Sequence, residues 1–119
     1  MEINTHKIND LEIAEVTAST TIINNIEDGL DLLGNLYYQG FDRIIIYEKN
    51  ITPDFFDLKN GIAGEILQKF SNYRIRLIVV GDFDYTSQSL KDFIYESNNG
   101  KQVNFLPNIT DALNRFSNL

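Results

Sequence analysis

Apolar residues along this chain alternate between two spacings, and the alternation predicts the architecture. Residues 8–16 carry Leu11, Ile13 and Val16 with Glu12 and Glu15 between them, the imperfect period of two expected of a strand with one wet face. The preceding residues 2–7 are placed to pair with it through an Asn9-Asp10 turn. By contrast, Arg43-Ile44-Ile45-Ile46-Tyr47 and Arg74-Ile75-Arg76-Leu77-Ile78-Val79-Val80 hold short, nearly continuous β-branched runs, the pattern of strands covered on both faces. Gln102-Val103-Asn104-Phe105-Leu106 is shorter and more polar and reads as an edge strand.

Between these strands the period becomes helical. Ile26, Leu30, Leu33 and Tyr37 fall on one stripe, with Asn24 or Asn25 as cap, Glu27 and Asp28 at the positive end of the dipole, and Gly40 as a left-handed stop. A second helix, behind Pro53-Asp54, turns Leu58, Ile62, Ile66 (or Ala63 and Leu67) and Phe70 inward. A third starts at Thr86 or Ser87, packs Leu90, Phe93 and Ile94, and ends by Asn99-Gly100. A fourth runs from Asn108 through Phe116 with Ala112, Leu113 and Phe116 apolar, and Asp111 three residues after Asn108 favours a start there. Strand and helix thus alternate behind an extended N-terminus. The expected fold is α/β, a mainly parallel sheet of four or five strands with an N-terminal strand pair and four flanking helices. No linker divides residues 1–119, so a single domain is expected.

Composition narrows the function classes. Ten Lys and Arg against 17 Asp and Glu leave a net charge of −7, which argues against nucleic acid as a partner, because phosphate-backbone binding draws on clustered cations. Without cysteine there is no disulfide, thiolate metal site or Cys nucleophile. No apolar run approaches the roughly 20 residues needed for membrane insertion. Residues 1–5 lack the basic-then-apolar design of a secretory signal, so the expected location is cytoplasmic. No cofactor is expected.

Candidate chemistry gathers where strands reach their carboxyl ends. Glu48-Lys49-Asn50 follows one strand, Gly81-Asp82-Phe83-Asp84 the next and Pro107-Asn108 the last. Two acidic loops on one edge suit Mg²⁺, so Glu48, Asp82 and Asp84 are the metal candidates of an alternative reading, a Mg²⁺-dependent phosphate-handling hydrolase. Asp82-Phe83-Asp84-Tyr85-Thr86 resembles the DxDxT signature of haloacid-dehalogenase-type phosphatases. Those enzymes carry it on their first strand and need a later hydroxyl residue and a lysine, which residues 105–108 do not supply. A turn in which Asp84 or Thr86 caps the third helix is expected instead. A response-regulator site would need an acidic pair near Thr17-Ala18-Ser19 and a lysine near Pro107-Asn108, and has neither. Gly61-Ile62-Ala63-Gly64 lacks the GK[ST] of a phosphate loop, and close helix packing on the sheet is the expected reason for both glycines. His6 has no partner at a suggestive spacing and reads as a surface histidine. Of each aromatic pair, Tyr37-Tyr38 and Phe55-Phe56, one ring is expected in the core and the other open to a partner. A small-molecule pocket lined by Phe83, Tyr85 and Tyr47 is a third reading.

Two resemblances add to this. The stretch from Pro53 to Phe70 (PDFFDLKNGIAGEILQKF), with Val80-Gly81-Asp82-Phe83 and residues 89–98 (SLKDFIYESN), resembles a bacterial family of small domains of unknown function, over nearly the whole chain. It implies no assigned activity. An N-terminal strand pair followed by helix–strand repeats is similar to the STAS fold of anti-sigma-factor antagonists, which carry a phosphorylatable serine at a helix start in a pattern like Asp-Ser-Ser-Gly-Leu. Asp57-Leu58-Lys59-Asn60-Gly61-Ile62 stands at that place, with Lys59 or Asn60 where serine would be, so the likeness covers the fold and not the switch. The first functional reading is therefore a non-catalytic, STAS-like regulatory or protein-interaction domain. Its expected binding surface is Phe55, Phe56, Asp57, Lys59 and Asn60, at a helix start with free backbone N–H groups. A homodimer formed by the open edge of residues 102–106 is the expected assembly.

Overall fold

The computed structural model describes residues 1–118. Strands β1 (Glu2–Ile8) and β2 (Leu11–Thr17) form an antiparallel hairpin closed by Asn9 and Asp10, at φ 51° and 67°. Two successive left-handed residues match the twist of paired strands, and short polar side chains tolerate them best. The turn cuts the predicted 8–16 strand, so Ile8 belongs to β1. The chain continues as α1 (Ile26–Tyr38), β3 (Arg43–Tyr47), three single 3₁₀ turns (Glu48–Asn50, Pro53–Phe56, Leu58–Asn60), α2 (Ile62–Asn72), β4 (Arg76–Val80), α3 (Gln88–Asn99), β5 (Val103–Leu106) and α4 (Ile109–Ser117).

The sheet order is β1-β2-β3-β4-β5, and every pair after the hairpin is parallel. Alternation along each strand separates two cores. Ala14, Val16, Ile44, Ile46, Leu77, Val79 and Phe105 face α1, α2 and α3, while Ile13, Ile45, Ile78 and Val80 face α4 through Ala112 and Phe116. The α/β architecture, the N-terminal pair and the four helices are as the spacing predicts.

Helix starts follow capping chemistry. Asn25, Ser87 and Asn108 each accept a hydrogen bond from the backbone N–H three residues on. Ser87, and not Asp84 or Thr86, therefore caps α3. Gly40, at φ 93°, follows α1 as the left-handed residue.

Several expectations are corrected. In α1 the buried side is Gly29, Leu32, Leu33 and Leu36, and both Tyr37 (54% exposed) and Tyr38 (91%) lie outside. The reason is α2. A Cβ on Gly29 would stand 2.6 Å from Ile66 Cδ1, so the helices approach at Gly29 and α1 turns that side inward. Close packing is thus the role of Gly29. A Cβ at Gly61 or Gly64 would meet nothing within 4 Å; Gly61 is needed for its φ of 80°, which separates the Leu58–Asn60 turn from α2 and starts the helix at Ile62.

The edge of β5 is partly occupied by α3. Asn98, near the end of α3, accepts from the Phe105 N–H at 2.8 Å and donates to the Phe105 carbonyl at 3.0 Å, so one side-chain amide takes both outward backbone groups. Asn104 is buried and donates to the carbonyls of Ser97 and Gly100. The Asn98 bonds occupy the Phe105 part of the edge that the expected homodimer would use.

Candidate functional site

Because β3, β4 and β5 are parallel and in register, Tyr47 pairs with Val80 and Val80 with Leu106, and their carboxyl ends open on one rim. A shallow cleft of about 430 Å³ lies there, lined by Tyr47, Glu48, Lys49, Gly81, Asp82 and Asn108 among others. The rim predicted from sequence exists, with Glu48 and Asp82 on it.

Its most committed side chain is Glu48. One carboxylate oxygen accepts the Asp82 N–H at 3.1 Å and the other accepts the Tyr85 hydroxyl at 2.5 Å. The side chain lies over Gly81, where any Cβ would collide with the Glu48 Cβ and carboxylate. Burial first, and then the Glu48 hydrogen bond and charge, raise the Tyr85 phenol well above its ordinary value. Glu48 thereby ties the end of β3 to the β4–α3 connection. The side chains of Asp82 and Asp84 are exposed. Among the described residues no three His, Asp or Glu side chains converge so as to hold a metal ion. Glu48, Asp82 and Asp84 share the rim but are not gathered into a ligand set.

Tyr47 points to the other face of the sheet. Its hydroxyl donates to Glu15 at 2.5 Å, Glu15 meets His6 Nε2 at 2.8 Å, and Lys49 Nζ lies 5.7 Å from the Tyr47 ring centroid. Burial, followed by the hydrogen bond and charge of Glu15, pushes the Tyr47 phenol up to about 12. His6 is therefore half-buried and partnered. Tyr47 packs with the α4-side core, and Phe83 and Tyr85 with the other, so these three line no common pocket.

The β3–α2 connection forms the rest of the rim. Phe55 (2% exposed) and Phe56 (6%) are both core, which corrects their assignment to a binding surface. Phe56 stacks on Tyr85 with centroids 5.3 Å apart and planes 20° apart, and it meets Phe83, whose ring in turn packs edge-on to Phe105. Two aromatic residues in a row both turn inward because the Pro53–Phe56 turn is 3₁₀, not strand, and successive side chains need not alternate. Above them Asp57, Lys59 and Asn60 are exposed. Asp57 accepts the Lys59 N–H at 3.4 Å; Asn60 donates to the Asp54 carbonyl at 2.7 Å and accepts the Ile62 N–H at 3.0 Å. The first amide of α2 is thus capped from within.

Asn50 organises this region and carries no motif that would announce it. It is 2% exposed and donates to the carbonyls of Ala18 and Thr20, while its own carbonyl accepts the amides of Ile22 and Ile23. A bridge between Ile23 and Ile51 completes the seam between the β2–α1 and β3–α2 connections.

Residues 8–116 match the family described as Domain of unknown function (DUF4180). The chain belongs to this family. The matched span takes in every rim residue named above, from Glu15 through Asn108. A solved structure from Thermotoga maritima, described provisionally as an anti-sigma factor antagonist, is similar over 94% of this chain and 92% of that one, at 14% identity and a TM-score of 0.49. That distance leaves function untouched. No curated protein is significantly similar to the chain.

Proposed function

We propose that this family member is a non-catalytic, STAS-like interaction domain of the cytoplasm, whose contact surface for a protein partner is the crest of the β3–α2 connection, Asp57, Lys59 and Asn60. The observation that carries the proposal is the way the connection divides its residues. Phe55 and Phe56 anchor it in the core, backbone-to-side-chain bonds hold its turns, and three polar side chains are left on top. Ordering backbone costs about 1–2 kcal/mol per residue. Long connections kept ordered at that cost are mostly functional ones, and a crest already held in place loses little further entropy when a partner docks on it. No helix among the described residues is long and apolar enough to cross a membrane.

The test compares tagged wild type, Lys59→Glu and Lys69→Glu in quantitative pull-downs from the native host. Lys69 is the control, because it is exposed in the last turn of α2, away from the rim. A specific partner held by wild type and Lys69→Glu should fall at least tenfold in recovery with Lys59→Glu, while melting temperature stays within about 2 °C, as an exposed substitution predicts. Equal recovery by Lys59→Glu would remove the crest from the interface.

A further inference from the structure

The amino end of the sheet, opposite the rim, holds an unbalanced group of cations. Three of the four arginines in a chain of net charge −7 meet there. Arg43 and Arg76 are paired positions on neighbouring parallel strands, β3 and β4, so their side chains leave the sheet on the same face. That face is the one covered by α4, since Ile45 and Ile78, two residues further along each strand, lie in the α4-side core. Arg115 comes from the last turns of α4, and the Arg76 guanidinium sits 5.4 Å from the centroid of the Phe116 ring.

Protein contacts account for part of this group only. Arg76 Nε donates to the Lys101 carbonyl at 2.7 Å, and Arg115 Nη2 donates to the carbonyls of Asn98 and Gly100, so two guanidiniums clamp the α3–β5 turn. Arg43 Nη1 donates to Asp42 at 2.9 Å, the one carboxylate among the described residues that is ion-paired with any of the three. Arg43 Nε and Arg76 Nη2 are buried and have no acceptor among the described residues. Neutral amides could make the carbonyl contacts. Like charges placed on adjacent strand positions are destabilising, and burial together with the charges of Arg43 and Arg115 lowers the Arg76 pKa, with Asp42 offsetting only part.

We infer that Arg43, Arg76 and Arg115 form a binding site for a phosphoryl group, inorganic phosphate or a small phosphate monoester. Lys7, Asp10 and Glu12 line the pocket beside Arg43 and Asp42, so four cations face three carboxylates and a positive charge is left for an anion to neutralise. The planar fork of arginine suits phosphoryl oxygens, through charge-assisted bonds stronger than those to neutral carbonyls. The site lies at the other end of the sheet from the proposed contact crest and stands or falls independently of it.

The test follows thermal unfolding of the full chain against sodium phosphate and, in a second arm, glycerol 3-phosphate, each compared with sodium chloride at equal ionic strength. Wild type should melt on the order of 5 °C higher at tenfold the dissociation constant of the bound anion, with no such rise in chloride. Response to phosphate alone marks a site for the free ion, and response to both a site open to esters. Arg43→Gln should lose the response. In chloride it should melt no lower than wild type, because the change relieves repulsion, and that readout separates a ligand site from a structural role. Equal melting in phosphate and chloride, or a full phosphate response in Arg43→Gln, would overturn the inference.

Discussion

At the carboxyl end of the sheet, Glu48 gives one oxygen to the Asp82 amide and the other to the Tyr85 hydroxyl, whereas at the amino end Arg43, Arg76 and Arg115 share a single ion-paired carboxylate, Asp42. Both places set charged residues at the ends of adjacent parallel strands. They differ in what is left over. At the acidic end Glu48 is held by internal hydrogen bonds; at the basic end Arg43 Nε and Arg76 Nη2 are buried without an acceptor among the described residues.

The comparison breaks most visibly if the rim is not the rigid unit described. Phe56→Ala removes the ring stacked on Tyr85 and should cost about 3–5 kcal/mol in denaturant unfolding. A cost below about 1 kcal/mol would mean the aromatic anchor does not hold the rim. Gly81→Ala should cost about 1–3 kcal/mol, because the new methyl displaces Glu48. In a Glu48→Gly background, which removes the Glu48 Cβ as well as its carboxylate, most of that penalty should vanish, and a double-mutant cycle without coupling would separate Gly81 from Glu48. A smaller effect is expected at high pH. The Tyr47 phenol is raised from 10.0 to about 12 in the folded state, so unfolded chains lose that proton first. Its contribution to stability is complete below pH 10 and declines as pH rises toward 12. Tyr47→Phe should flatten this decline in melting temperature between pH 10 and 12, and an unchanged slope would assign the loss to other groups. Tyr85, raised for the same reasons, adds in the same direction.

Much of the architecture was legible because local signals were strong. The β-branched run of residues 43–47 is β3 to the residue, and Asn25, Ser87 and Asn108 mark helix starts by chemistry that acts over three residues. The rim followed from parallel order alone. What escaped depends on contacts between distant segments. The buried side of α1 is chosen by the approach of Ile66 to Gly29, and the burial of both Phe55 and Phe56 by a 3₁₀ turn seated on Tyr85. His6 pairs with Glu15 only because the Asn9-Asp10 turn sets Asn4 opposite Glu15, which leaves His6 diagonal to it. That pairing could have been read once the turn length fixed the register, and so could the apposition of Arg43 and Arg76. Asn98, which takes the outward backbone groups of Phe105 on β5, and Asn50, which seams two connections, carry no pattern in the sequence.

The most direct measurement is the melting temperature of the wild-type chain titrated with MgCl₂ and MnCl₂ to 10-fold millimolar excess at fixed ionic strength. With Glu48 held by Asp82 and Tyr85, no shift beyond about 1 °C should appear, which is less than the stabilisation expected of a metal present at its dissociation constant. A rise of several degrees that Asp82→Asn abolishes would show the rim carboxylates free to bind metal, and would replace the contact surface with a reaction centre.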